Sequence, residues 1–110
     1  MNNPEPNQNQ LVQRYFDLAS KPDRDAYFAQ FTADAVVEDE GKERHGINEI
    51  RAWRTEVPTV SYAVADVQET AEGRIAAVDI SGDFPGSPVQ LKFTFSFTDD
   101  GRIRFLAIRP

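Results

Sequence analysis

"PVQLKFTFSFT", residues 88–98, decides the fold. Val89, Leu91, Phe93, Phe95 and Phe97 alternate without a break with Gln90, Lys92, Thr94, Ser96 and Thr98. A period of two sends successive side chains to opposite faces of a strand, so one face here is apolar and the other polar. Downstream, "DDG" (99–101) reads as a hairpin turn and "RIRFLAI" (102–108) as the last strand. Upstream, "TVSYAVADVQET" (59–70) and "RIAAVDISGDF" (74–84) are β-rich and joined by the turn "AEG". Connections this short join antiparallel neighbours. Gly82, Pro85 and Gly86 are placed to bend or break the sheet edge.

The phenylalanine face needs a partner, and the first half of the chain supplies one. "QLVQRYFDLAS" (10–20) sets Leu11, Tyr15 and Leu18 beside Val12, Phe16 and Ala19, a broad apolar face at helical spacing. "KPDRDAYFAQF" (21–31) starts a second helix with Pro22 and acids in its first turn, and Tyr27, Phe28 and Phe31 form its buried stripe. "AVVED" (35–39) is a short strand. "GINEIRAWRTEV" (46–57) is a third helix that buries Ile47, Ile50, Trp53 or Arg54, and Val57, and stops at Pro58. Helices followed by a meander define an α+β fold: three N-terminal helices on a curved, cone-shaped antiparallel sheet, an α+β roll. Residues 1–9, polar and with two prolines, read as a disordered lead-in to one domain over 10–110.

Composition narrows the function classes. The 110 residues carry 12 basic and 18 acidic side chains, a net charge of −6, which disfavours a phosphate backbone as partner. No apolar run is long enough to span a membrane, and the N-terminus lacks a signal peptide's basic and apolar regions. There is no cysteine, so disulfides and thiolate sites are excluded; this fits a cytoplasmic protein. One histidine without a cysteine makes a transition-metal site an unpromising reading.

Four stretches then resemble one family in order and spacing. "LVQRYFDLAS", "FTADAVVED", "HGINEIRAWR" and "DDGRIRFLAI" look like successive motifs of the nuclear transport factor 2-like superfamily, in its SnoaL-like and bacterial ketosteroid isomerase-like branch. The resemblance covers nearly all of the chain after residue 10. It implies a pocket for a small apolar molecule (steroid-, polyketide- or terpene-like), no cofactor, and a homodimer through the outer sheet face. It also implies site residues. Tyr15 falls on the tyrosine that donates to the substrate carbonyl, and Asp39 on the general base. The second, protonated acid of the isomerases falls on Phe93, which cannot donate a hydrogen bond. The residue after the base is Glu40 where the isomerases have proline, and the loop to Gly46 is about two residues shorter by this comparison.

The chemistry of such a site is a proton moved next to a carbonyl: a base reaches the C–H and a donor stabilises the developing oxyanion. Ketosteroid isomerase itself pairs an aspartate base with a tyrosine donor in this way. Phe31, Trp53, Phe93 and Phe95 are the expected apolar walls. Other roles stay open for each residue. Tyr15 on a helix's apolar face also suits a core tyrosine, and Asp39 at a strand end also suits a solvated turn. Glu38 and Glu40 alternate away from Asp39 and read as solvent-facing. His45 reads as a surface or capping residue before a helix. Arg54 reads by default as exposed, with the pocket mouth as the alternative. Without the second acid, the chain also suits a non-catalytic binding or association module, or a SnoaL-like cyclase, dehydratase or hydrolase.

Overall fold

The structure, a computed structural model, describes residues 7–21 and 24–110. In chain order the elements are α1 (Gln8–Ala19), α2 (Arg24–Phe28), β1 (Phe31–Asp39), β2 (Lys42–His45), α3 (Gly46–Glu56), β3 (Ser61–Glu69), β4 (Gly73–Ser81), β5 (Val89–Phe97) and β6 (Ile103–Arg109). The six strands form one sheet in the order β2-β1-β6-β5-β4-β3. The sheet is curved and unclosed, and the helices pack on its concave face, so the α+β class is as the alternating strand required.

Each element has a local cause. Asn7 caps α1, its side chain accepting from the amides of Asn9 and Gln10. The helix therefore starts at Gln8, inside the stretch read as a lead-in; residues 1–6 lie outside the described residues, as do Pro22 and Asp23 of the expected second-helix turn. α3 begins after His45, whose backbone N–H donates to Glu49 Oε1 at 2.8 Å. It ends where Val57, preceding Pro58, takes an extended conformation. α2 is only five residues long. The Gln30 carbonyl accepts from Ile103 N–H at 2.8 Å and draws the chain into the sheet. Phe31 is thus the first residue of β1 and not part of a helical stripe.

Two sheet features depart from the expected meander. First, the segment after Asp39 is not a loop but a hairpin: Asp39 pairs with Lys42, and Glu40 and Gly41 turn the chain at φ 54° and 76°. Positive φ at both central residues belongs to the tight primed turns whose twist matches paired strands. Second, β1 pairs with β6 in parallel, not antiparallel. The expectation of antiparallel neighbours holds for consecutive strands; β1 and β6 are far apart in sequence and no hairpin constrains their direction. At the other side, Gly73 lies so close to β5 that a Cβ there would sit 2.1 Å from the Phe95 carbonyl oxygen. No other residue fits without moving a strand.

One apolar cluster fills the concavity. Leu11, Val12, Tyr15 and Phe16 of α1 meet Phe93, Phe95 and Phe97 of β5, with Tyr27, Phe28 and Phe31 closing the same side. The alternation of β5 is observed as read: its odd positions face the helices, while Gln90 and Lys92 are exposed on the outer face.

Candidate functional site

β1 runs with Ala35, Val37 and Asp39 on the inner face. The carboxylate of Asp39 is thereby delivered to the open end of the cone, where the apolar strand pattern stops. There it meets α3. The Trp53 indole N–H donates to Asp39 Oδ2 at 3.0 Å. Trp53 is almost fully buried, so this bond fixes the carboxylate against a rigid ring.

Asp39, Tyr15, Trp53 and Phe93 line one pocket of about 230 Å³. Most of its remaining wall is apolar, including Val57, Ile80, Val89, Leu91 and Ile108, with Phe84 from the β4–β5 connection. The expected residues are therefore partly brought together. Phe31 and Phe95 are not in the wall; both pack around Tyr15 in the core, at ring distances of 6.4 and 5.3 Å. Glu40 reaches the pocket rim from its turn while remaining exposed. Glu38 faces the opposite side and holds Arg109 through two bonds of 2.7 Å. That pairing lowers the Glu38 pKa from its ordinary value. His45 stands at the N-cap position of α3 without a side-chain capping bond, and its ring contacts Glu43 on the surface, away from the pocket wall.

Tyr15 has a partner that the sequence left unassigned. Its hydroxyl and that of Tyr27 share a hydrogen bond of 2.8 Å, in which either can donate. Burial, and then the neighbouring Tyr27, raise the Tyr15 pKa well above the ordinary 10.0; Tyr27 is pushed up to about 12, mainly by burial. Both phenols stay neutral and keep their protons in the physiological range. Two hydroxyls have two protons, and one suffices for their mutual bond. When Tyr27 donates, the Tyr15 proton is free for another acceptor.

Arg54 overturns its default reading. It is 9% exposed and lines the same pocket. Its guanidinium donates to the Ala19 carbonyl at 3.0 Å and to the Tyr62 hydroxyl at 3.5 Å, and lies 4.7 Å from the centre of the Tyr27 ring. Burial works to lower its pKa, but the tyrosines Tyr27, Tyr15 and Tyr62 outweigh it and the net shift is upward. The group stays cationic. Its position beside Trp53, four residues after Ile50, was the one available signal, since i and i+4 share a helix face. Among the described residues no group of three His, Asp or Glu side chains converges as a metal-holding set.

A curved sheet with an acid-bearing pocket under its helices is the architecture of a broad class of small α+β proteins, and comparison places the chain within it. The chain belongs to the SnoaL-like domain family, whose model matches residues 12–105. It resembles the crystal structure of a putative polyketide cyclase from Sinorhizobium meliloti at 35% identity, with 91% of this chain and 94% of that one covered and a TM-score of 0.83. It also resembles SalBIII, described as an epoxide hydrolase/cyclase-like enzyme in pyran ring formation, at 19% identity, 93% and 88% coverage and a TM-score of 0.82. A third likeness is an NTF2-like protein of unknown function from Cytophaga hutchinsonii, at 14% identity, 98% and 92% coverage and a TM-score of 0.77. The last two speak for the fold alone. No curated protein matches the chain.

Proposed function

We propose that the pocket binds a small apolar carbonyl compound and that Asp39 removes a proton beside the carbonyl while Tyr15 donates to the oxygen. The observation that carries this is the convergence of Asp39 and Tyr15 on one apolar cavity, with the carboxylate held by Trp53. The steps balance simply. The C–H electron pair moves toward the carbonyl oxygen as the enolate forms, and the proton goes to Asp39 Oδ. Returned to another carbon, it completes an isomerisation; if the enolate carbon instead attacks a second carbonyl, a ring closes as the C=O π pair moves to that oxygen, and the resulting alkoxide takes the proton back from Asp39. The likeness to a putative polyketide cyclase favours the second outcome. No cofactor is required for either.

Phe93 lines the pocket, and by the resemblance it stands where an isomerase would hold a second donor. Loss of one oxyanion donor costs roughly 10²–10³ in rate. This supports a substrate more acidic than a simple ketone, as the flanked methylene of a polyketide is. A homodimer through the outer sheet face belongs to the same reading.

The test is hydrogen–deuterium exchange at the activated methylene of β-tetralone, followed by NMR. The wild type accelerates exchange over buffer. Asp39→Asn lowers the rate by about 10²–10⁴, and Tyr15→Phe by about 10²–10³. Exchange unchanged by Asp39→Asn in the folded protein makes the pocket a binding site without this chemistry.

A further inference from the structure

The reaction above uses Asp39 and Tyr15 and leaves Arg54 without a task. Ion pairing does not explain it. Among the described residues, no salt bridge involves Arg54. A buried guanidinium is costly unless partners compensate, and the face of the Tyr27 ring offsets part of that cost without occupying its N–H groups. Nor does helix capping explain it fully. The Ala19 and Tyr62 oxygens accept two of its bonds, one of them long at 3.5 Å, whereas a guanidinium has five N–H groups.

The surroundings of Arg54 add a second observation. On its far side lies another cavity, of about 400 Å³, between the end of α1, the start of α2 and residues 57–60. Lys21 and Arg24 stand in its wall, and no acidic residue is found among the described residues that line it. In a chain of net charge −6, the described residues that line this cavity include three cations, Lys21, Arg24 and Arg54. The two cavities share a wall, with Arg54, Val57, Pro58 and Val60 bordering both. A ligand whose body fills the apolar pocket can therefore present one end to the guanidinium.

We propose that Arg54 receives a carboxylate of the ligand, so that the substrate is an amphipathic acid: an apolar, carbonyl-bearing body with an anionic end. Arg54 is then a specificity residue. It orients the molecule so that the apolar body, and not the charged end, lies against Asp39. Lys21 and Arg24, both exposed, draw the anion toward the cavity. This rests on the reading of the pocket as a ligand site, but not on the proton transfer.

The experiment compares cyclohexylacetate with cyclohexylacetamide, equal in body and different in charge. Trp53, the single tryptophan and a wall residue, reports binding by its fluorescence, with calorimetry as a check. At neutral pH and low salt the carboxylate binds at least about ten-fold more tightly than the amide. Arg54→Met erases the difference and Arg54→Lys keeps part of it. Equal affinity for the two probes in the wild type overturns the proposal while leaving the pocket intact. A preference that survives in folded Arg54→Met also overturns it. Should that variant not fold, the wild-type comparison decides alone. If neither probe binds, the ligand-site reading fails, and the role of Arg54 with it.

Discussion

Phe93 and Phe95 lie two positions apart on the same face of β5, yet they belong to different parts of the molecule. Phe95 stacks on Phe97 at 5.7 Å and is flanked by Tyr15 and Phe16; it is wholly enclosed. Phe93 also touches Phe16, at 5.0 Å, but its outer side borders the pocket. The strand supplies the same residue type to both. What differs is the remaining side. Tyr15 and Phe16 of α1 lie over both rings, but Phe97 closes the remaining side of Phe95, whereas Phe93 also borders the pocket with Val57, Pro58 and Arg54. Aromatic content therefore makes core or pocket according to what closes that side.

Substitutions can break this contrast, beginning with the largest effect. Phe95→Ala empties a site closed on all sides and lowers stability by about 3–5 kcal/mol, measured by urea denaturation. Asp39→Asn leaves the denaturation midpoint nearly unchanged while removing activity by the factor given above, which separates the open half from the filled half. Phe93→Ala costs less stability than Phe95→Ala, by at least about 1 kcal/mol, because the wall already faces open space. Its exchange rate or probe affinity changes instead. Equal losses at the two positions would remove the distinction between wall and core.

Two smaller effects concern charge. Tyr15 and Tyr27 have folded pKa values above the ordinary 10.0, Tyr27 at about 12. Raised values of an acid mean that the unfolded chain releases its proton first. Stability is thus full below about pH 10 and falls as pH rises through the folded values. The Tyr15→Phe, Tyr27→Phe double variant loses most of this alkaline slope, seen as a pH series of denaturation midpoints. Glu38 behaves in the opposite sense. Arg109 lowers its pKa, so its contribution is present above the unfolded carboxylate value and fades as pH falls. Glu38→Gln flattens that acid limb slightly and leaves the pocket untouched, the smallest change of the set.

Much of this was legible in the residues. The alternation of β5, the helical spacing of α1, and the phase that turns Asp39 inward and Glu38 outward all follow from short-range periodicity. The parallel pairing of β1 with β6 was not legible, because nothing local sets the direction of two strands so far apart in sequence. The β1–β2 hairpin was hidden by a charged strand, Lys42–His45, with no apolar alternation to betray it. Phe31 and Phe95 could be read as buried but not as core rather than wall. Arg54 was read by default as exposed, with the pocket mouth only the alternative, for a related reason: its burial depends on the Ala19 carbonyl and on Tyr27, 35 and 27 positions away. A helix pattern shows which residues share a face, not what waits opposite it.

The placement of β6 carries a consequence for how the protein is made. It is the last of the six strands to leave the ribosome, and it lies in the middle of the sheet, bonded to β1 on one side and β5 on the other. Until Ile103–Arg109 has emerged, the β1–β2 hairpin and the β3–β5 meander have no seam between them, and the flanks of β1 and β5 present unpaired backbone. A chain whose last strand has not yet docked exposes two unpaired edges at once, and such edges are the template for aggregation.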